Sequence, residues 1–275
     1  MGPTNKNNNK NNHIELSIQI SLSGLSFCIL NSSTQIISYL KTYDFNKQLI
    51  PFEALDELKQ FFNTEEALQQ EFNEVRVIHD NNLSTLVPKT LFDEKCLADY
   101  LKFNSKILKS DYITYDSISI NQSVNVYVPY ININNFIYEK FGDFTFKHVS
   151  TVLIEEILKT EKNLEATKAY VNVSKDHFEI LVVKNSKLLL YNVFAYRTKE
   201  DFIYYILFCL EQLELSPETV NLIFLGEIDT TDELYIITYK YIRLVFLGDR
   251  EDDYKYANHA QPFRPHSNYA IINSF

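Results

Sequence analysis

The sequence predicts an α/β protein of two similar lobes, each opening with a three-stranded antiparallel meander followed by a helix and a further strand. Short alternating apolar runs give way to helical periodicity twice, first from His13 and again from Ala169. The two meanders are in register. One spacing separates Ser21 from Ser174 and Tyr43 from Tyr196, and it sets Leu25, Phe27 and Ile29 against Phe178, Ile180 and Val182 without a gap. A repeat this long points to duplicated lobes rather than a solenoid. A chain of 275 residues, 45% hydrophobic, suits two domains with a core each.

Residues 1–12 run mostly in Asn and Lys and read as a disordered polar tail, because nothing there can be buried to offset the cost of ordering. They also lack the apolar core of a signal peptide. The first lobe is assigned to residues 13–160. Its meander comprises Ile14 to Ile20, Leu25 to Leu30 and Ile36 to Tyr43. A helix starts at Pro51, a residue suited to a first turn, and carries Phe52, Leu55, Leu58, Phe61 and Phe62 at helical spacing. Glu65 to Phe72 reads as a second helical piece and Val75 to His79 as a strand. Leu91 to Phe103 reads as a helix, Tyr112 to Ile120 and Val124 to Val128 as strands, and Ile133 to Phe141 as a helix ended by Gly142. Phe144 to Val149 and Thr151 to Leu158 close the lobe as strand and helix.

The second lobe is assigned to residues 161–275. Ala169 to Val173, Phe178 to Val183 and Lys187 to Tyr196 form its meander, with a turn at Lys184-Asn185-Ser186. A helix from Thr198 has Phe202, Tyr205, Ile206, Cys209 and Leu213 on one side and stops before Pro217. Val220 to Leu225 is a buried strand ending at Gly226. Asp232 to Tyr239 is a helix, and Ile242 to Leu247 is the last clear strand.

Composition narrows the function. A formal net charge of -10 and a pI near 5.1 argue against nucleic acid and anionic membranes as partners, since both recruit clustered Lys and Arg. The longest apolar run, Phe202 to Leu213, falls short of the roughly 18–20 residues that span a bilayer. Cys28, Cys96 and Cys209 stand far apart in apolar surroundings and read as buried thiols of a reducing compartment. A cytoplasmic location follows as the expectation. No Gly-x-Ser-x-Gly elbow, Gly-x-Gly-x-x-Gly or Walker-type Gly-Lys-Ser/Thr is present. His79 beside Asp80 reads as a turn residue, and His148 as a core or edge residue. His259 and His266, near Asp249, Glu251, Asp252 and Asp253, read as part of a solvated loop rather than a metal site. Asp176 and His177 are adjacent, and neighbours in a strand face opposite sides, which argues against a dyad.

A repeated β-β-β-α-β unit is similar to the actin, Hsp70 and sugar-kinase superfamily, whose lobes have a ribonuclease-H-like fold. More closely, the chain after the tail resembles an uncharacterised bacterial family, domain of unknown function 3822, which carries this actin-like ATPase fold. The stretch Tyr196-Arg197-Thr198-Lys199-Glu200-Asp201-Phe202-Ile203-Tyr204-Tyr205-Ile206-Leu207-Phe208 carries most of the resemblance. Phe224-Leu225-Gly226-Glu227-Ile228 and His148-Val149-Ser150-Thr151 add to it. The resemblance brings a fold and no activity.

In the superfamily, a turn after the first strand of each lobe grips the nucleotide phosphates, with an Asp and then a Gly at fixed places. Here Gln19 and Ser21 stand at those places in the first turn, which Leu22, Ser23 and Gly24 complete. In the second, Asn172 and Ser174 replace them, followed by Lys175, Asp176 and His177. Leu225-Gly226-Glu227 keeps one glycine of the adenosine-side pair. The resemblance therefore makes Ser21, Ser23, Gly24, Ser174, Lys175, Asp176, Gly226 and Glu227 the candidate residues of a degenerate nucleotide cleft. An amide can hold a water but cannot neutralise Mg²⁺ or act as a base. The expected function is a non-catalytic adaptor or scaffold for another protein, with no cofactor. The alternative is a protein that binds or hydrolyses ATP with Mg²⁺ through Asp176, Glu227 or Asp229. A ribonuclease-H-like nuclease is disfavoured by charge and by its missing carboxylates. An open, polar cleft with converging carboxylates would support the nucleotide reading, and a cleft filled with aromatic side chains would remove it.

Overall fold

The computed structural model describes residues 13–275 apart from 104 and 251, so the polar tail lies outside the described residues. The first sheet is built from β1 (Ile14–Ile20), β2 (Gly24–Asn31), β3 (Ile36–Asp44), β4 (Glu74–His79) and β8 (Thr145–His148). The second is built from β9 (Lys168–Val173), β10 (His177–Lys184), β11 (Lys187–Ala195), β12 (Asn221–Gly226) and β13 (Leu244–Leu247). Their strand orders correspond: β3-β2-β1-β4-β8 in one and β11-β10-β9-β12-β13 in the other. In each, the opening three strands are antiparallel and the last two run parallel to the first.

Alternation along the strands sorts side chains into layers. Leu16, Ile18, Phe27 and Ile29 face α1 (Pro51–Thr64) and α3 (Ile131–Phe141) in one outer core. Val171, Phe178, Ile180 and Val182 meet Phe202 and Ile206 of α5 (Lys199–Gln212) in the other, which α6 (Glu233–Tyr241) also flanks. The opposite faces, with Cys28 and Leu30 from one sheet and Leu181 and Val183 from the other, share a central core. Val149, Leu153 and Ile157 of α4 (Val149–Thr160) fill it together with α7 (Tyr269–Ile272). The residues matched by the repeat spacing thus point to equivalent outer helices, and one continuous core joins the lobes.

Several elements depart from the sequence reading. Leu91 to Phe103 is not one helix but two single turns and the short α2 (Leu97–Leu101). The Asp93 side chain accepts from Lys95 N and restarts the chain there, while Leu91 and Phe103 face solvent and form no common apolar stripe. Glu65 to Phe72 shrinks to a turn at Glu66–Leu68, because Glu65 is extended and receives Tyr39 Oη and Lys41 Nζ. An unforeseen strand, β5 (Ser84–Pro88), pairs with β7 (Ser123–Tyr127), which also pairs with β6 (Thr114–Ile118). This three-stranded sheet lies between β4 and β8 in the chain and has its own small core around Val87, Val124 and Leu101. Finally, β14 (Lys255–Tyr256), within the segment assigned to the second lobe, extends the first sheet by pairing with β3. That edge of β3 has unpaired backbone groups, and Lys255 N and Ala257 N bond to Gln35 O and Ile37 O.

Among the described residues, no helix is long and apolar enough to cross a membrane. Cys28 and Cys209 are buried and Cys96 half-buried, and all three are free thiols. Burial pushes the Cys209 thiol up to about 11.

Candidate functional site

The turn between β1 and β2 faces the turn between β9 and β10 across a cleft, with the end of β12 forming its floor. The largest cavity there, about 420 Å³, is lined by Gln19, Asn172, Ser174, Gly226, Glu227, Asp229 and Arg264 among others. Two smaller spaces, about 80 and 110 Å³, bring in Ser21, Ser23, Gly24 and Lys175, and then Asp176 and His177. All eight candidate residues named from the sequence therefore line one continuous region. It is open and polar: Phe263, the phenylalanine beside it, is 86% exposed and does not plug it.

The first turn is closed on itself. Ser21 Oγ accepts from the amides of Ser23 (3.2 Å) and Gly24 (3.0 Å), and Ser21 N donates to Gly24 O (3.0 Å). A glycine at position 21 would leave those two amides free to point at an anion. Gly24 is needed because a Cβ there would run into Tyr43 O of β3. In the second turn Ser174 N donates to His177 O, and Tyr196 Oη donates to Ser174 O at 2.7 Å. Gly226 has φ +80 and abuts Val173 O and the Asn172 side chain, so no side chain fits where β12 meets β9. His266 secures this floor. Its carbonyl accepts from Gly226 N, and its Nε2 lies 2.7 Å from Ile228 O.

The cations of the cleft are already paired. Lys175 Nζ reaches both oxygens of Asp44 across the lobes, at 2.7 and 2.6 Å. Arg264 pairs with Asp229. The other carboxylates of the lining are Asp80, Asp176, Glu227 and Asp232.

Asp80, just past β4, is the acid that sequence reasoning passed over as a turn residue. It is buried, and its Oδ2 accepts from Gln19 Nε2 at 3.0 Å. Parallel pairing of β4 with β1 places it beside Gln19, so a carboxylate sits one strand over from where the superfamily places its first Asp. His177 Nε2 lies 3.1 Å from Asp80 Oδ1, and His177 Nδ1 lies 2.7 Å from Asp176 Oδ1. Asp176 and His177 do pair, contrary to the expectation from strand alternation, because Asp176 precedes β10, in the turn, where alternation does not apply. Fully buried Glu179 completes the group: its Oε2 accepts from Asn172 Nδ2 at 3.0 Å, and its Oε1 lies 3.6 Å from His177 Nε2. Burial opposes a charge on His177, yet Asp80, Asp176 and Glu179 around it raise its pKa well above that of a free imidazole. Burial likewise works against ionised Asp80, but His177 and the Gln19 amide hold its carboxyl below the usual range.

The other histidines and the family motifs have structural work. His148 caps α4, with Nδ1 accepting from Ser150 N, while Asn125 Nδ2 donates to Ser150 Oγ and Thr151 Oγ1. The His148-Val149-Ser150-Thr151 motif thus ties the inserted sheet to α4. Asp252 is bound to Arg250 and Tyr256. Neither His259 nor His266 joins a cluster of metal-ligating groups among the described residues.

Fold and cleft together define a protein with the actin-like ATPase fold. The chain belongs to the family described as protein of unknown function (DUF3822), whose model matches residues 3–245. It is similar to a solved protein of Bacteroides thetaiotaomicron with an actin-like ATPase fold and unknown function, at 24% identity, 96% coverage of each chain and a TM-score of 0.76. It is also similar in fold to a chain of the PilM-PilN type IV pilus biogenesis complex, at 11% identity, with 94% of this chain and 96% of that one covered and a TM-score of 0.57. No curated protein matches the chain.

Proposed function

We propose that this protein is a non-hydrolysing actin-like module that serves as a scaffold or adaptor for another protein. The observation that carries this reading is the closed first turn, in which the Ser21 hydroxyl occupies the Ser23 and Gly24 amides. Phosphate recognition in such turns relies on backbone amides that face the ligand. The cleft cations are engaged as well, Lys175 by Asp44 and Arg264 by Asp229. A nucleotide triphosphate would face Asp80, Asp176, Glu227 and Asp232 in a chain of net charge -10. The fold similarity to a chain of the PilM-PilN complex, a protein–protein assembly, agrees with an adaptor role.

One observation favours the alternative: the cleft is open, polar and rich in carboxylates, with a cavity of about 420 Å³. On that reading Asp176, Glu227 or Asp229 would act on Mg²⁺, and Arg264 would leave Asp229 for the phosphates.

Melting with millimolar ATP and Mg²⁺ separates the two. A ligand at 100 times its dissociation constant adds about 2.7 kcal/mol of stability, a shift of several degrees. The adaptor reading expects no shift beyond that of Mg²⁺ alone, no ATP turnover, and a stoichiometric complex with a protein partner that reassembles from purified components without nucleotide. A clear ATP-dependent shift or turnover would overturn it.

A further inference from the structure

Three buried side chains from both lobes present one ligand atom each to a common point. Asp80 Oδ1, His177 Nε2 and Glu179 Oε1 all lie within 4.8 Å of one another. We propose that Asp80, His177 and Glu179 bind a divalent first-row transition ion of the Zn²⁺ type, which clasps the two lobes together. The site is independent of the adaptor reading.

The first argument is an unsatisfied atom. Glu179 is fully buried, and its Oε1 accepts no hydrogen bond although it is aimed at His177 Nε2. A buried carboxylate oxygen with no hydrogen bond, and only a 3.6 Å contact to His177 Nε2, carries a desolvation cost that a cation at this point would remove.

The second is division of labour within each ligand. His177 uses Nδ1 on Asp176, Asp80 uses Oδ2 on the Gln19 amide, and Glu179 uses Oε2 on the Asn172 amide. In each case the outward atom is held by an orienting partner, while the inward atoms face one another, His177 Nε2 and Asp80 Oδ1 at 3.1 Å. Metal sites have this arrangement, the orienting carboxylate on a ligating imidazole above all.

The third is distance. Bonds of about 2.0–2.2 Å in a tetrahedral site set ligand atoms roughly 3.4 Å apart. The separations from His177 Nε2 are 3.1 Å to Asp80 and 3.6 Å to Glu179. An imidazole with two carboxylates suits Zn²⁺ and its neighbours better than Mg²⁺, which prefers oxygen and keeps its waters. Asp80 and His177 also line the 110 Å³ space, so solvent can reach a further coordination position. The competing occupant is a proton on His177, which would bridge the two carboxylates instead.

The test uses the full chain, stripped with a chelator and dialysed. Zn²⁺ is titrated in competition with a chromophoric chelator, and Co²⁺ is added separately to read the ligand-field spectrum. One tight equivalent of Zn²⁺ is expected, with an intense four- or five-coordinate Co²⁺ spectrum. Glu179→Gln and His177→Gln should weaken Zn²⁺ by roughly 100-fold or more, and Asn172→Ala by roughly 10-fold or more. Glu74→Gln, in the separate group with His13 and Glu15, should leave affinity unchanged. Should the site variants fail to fold, the Zn²⁺ titration and Co²⁺ spectrum of Glu74→Gln, which disables the other His-carboxylate group, decide. The pale spectrum of hydrated Co²⁺, no tight equivalent of Zn²⁺, or affinity lost with Glu74→Gln would overturn the proposal in favour of the proton.

Discussion

His79 and His148 are fully buried, and each ring combines an accepting with a donating nitrogen, which only the neutral imidazole does. His79 Nδ1 accepts from Tyr130 N while Nε2 faces Asn134 Oδ1, and His148 Nδ1 accepts from Ser150 N while Nε2 faces Asn81 O. Burial pushes His79 down to about 3 and His148 down to about 4. Their unfolded values lie near 6.5, so between the two limits the unfolded chain binds the extra protons. Their contribution is therefore complete above about pH 6.5 and declines as pH falls, by up to about 1.4 kcal/mol per pH unit for each ring. NMR of the two imidazoles should show both still neutral at pH 5; a midpoint near 6.5 for either would contradict this burial. Gly226 makes a second prediction at this scale. Both its φ of +80 and the crowding by Val173 and Asn172 oppose a side chain, whereas Gly142, at φ +77, has open space around it. Gly226→Ala should cost about 2–4 kcal/mol in urea unfolding and Gly142→Ala less, since only backbone strain acts there.

The helix α5 shows how one element can be written almost entirely in its own sequence. Thr198 Oγ1 accepts from Asp201 N and the Asp201 carboxylate accepts from Thr198 N, both at 3.1 Å, which closes a capping box. Phe202, Ile206 and Cys209 then point to the outer core. Thr198→Ala should lower stability by about 1 kcal/mol, read as a lower urea midpoint with an unchanged slope. The family-bearing stretch from Tyr196 to Phe208 is therefore a fold signature: cap, core stripe, and the Tyr196 hydroxyl on Ser174 O. By contrast, Leu91 to Phe103 has helical spacing but no continuous surface to cover, and only Leu97–Leu101 remains helical.

At the scale of the whole molecule, two ion pairs among the described residues connect the lobes, and they differ in depth. Lys175 and Asp44 are each about half exposed, at 47% and 48%, so Asp44→Ala should cost at most about 1 kcal/mol and the difference should vanish in high salt. His177 and Asp80 are buried, at 11% and 6%, and removing one partner strands the other. In chelated protein, Asp80→Ala should cost about 3–5 kcal/mol, with little dependence on salt. Equal losses for the two variants in urea unfolding would show that the lobes do not rely on the buried pair.

By itself the sequence determined the strands of the two meanders, the main helices and the two facing turns. These follow from local backbone chemistry: alternation puts Phe27 and Ile180 on outer faces, Pro51 and Thr198 start helices, and Gly226 permits a sharp close approach. The turns after the first strand of each meander could be placed in the same way, and six of the residues that the resemblance picked out lie in them, with Gly226 and Glu227 at the end of β12. Only the tertiary structure decided what surrounds them. Asp80 reaches Gln19 through the parallel β1–β4 pairing, and it meets His177 and Glu179 only when the lobes close on each other. Residues 255–256 join the first sheet because the edge of β3 offers backbone partners that no local pattern records. Side-chain periodicity reports which face a residue takes, but contacts between distant segments depend on register and lobe packing, which periodicity does not encode.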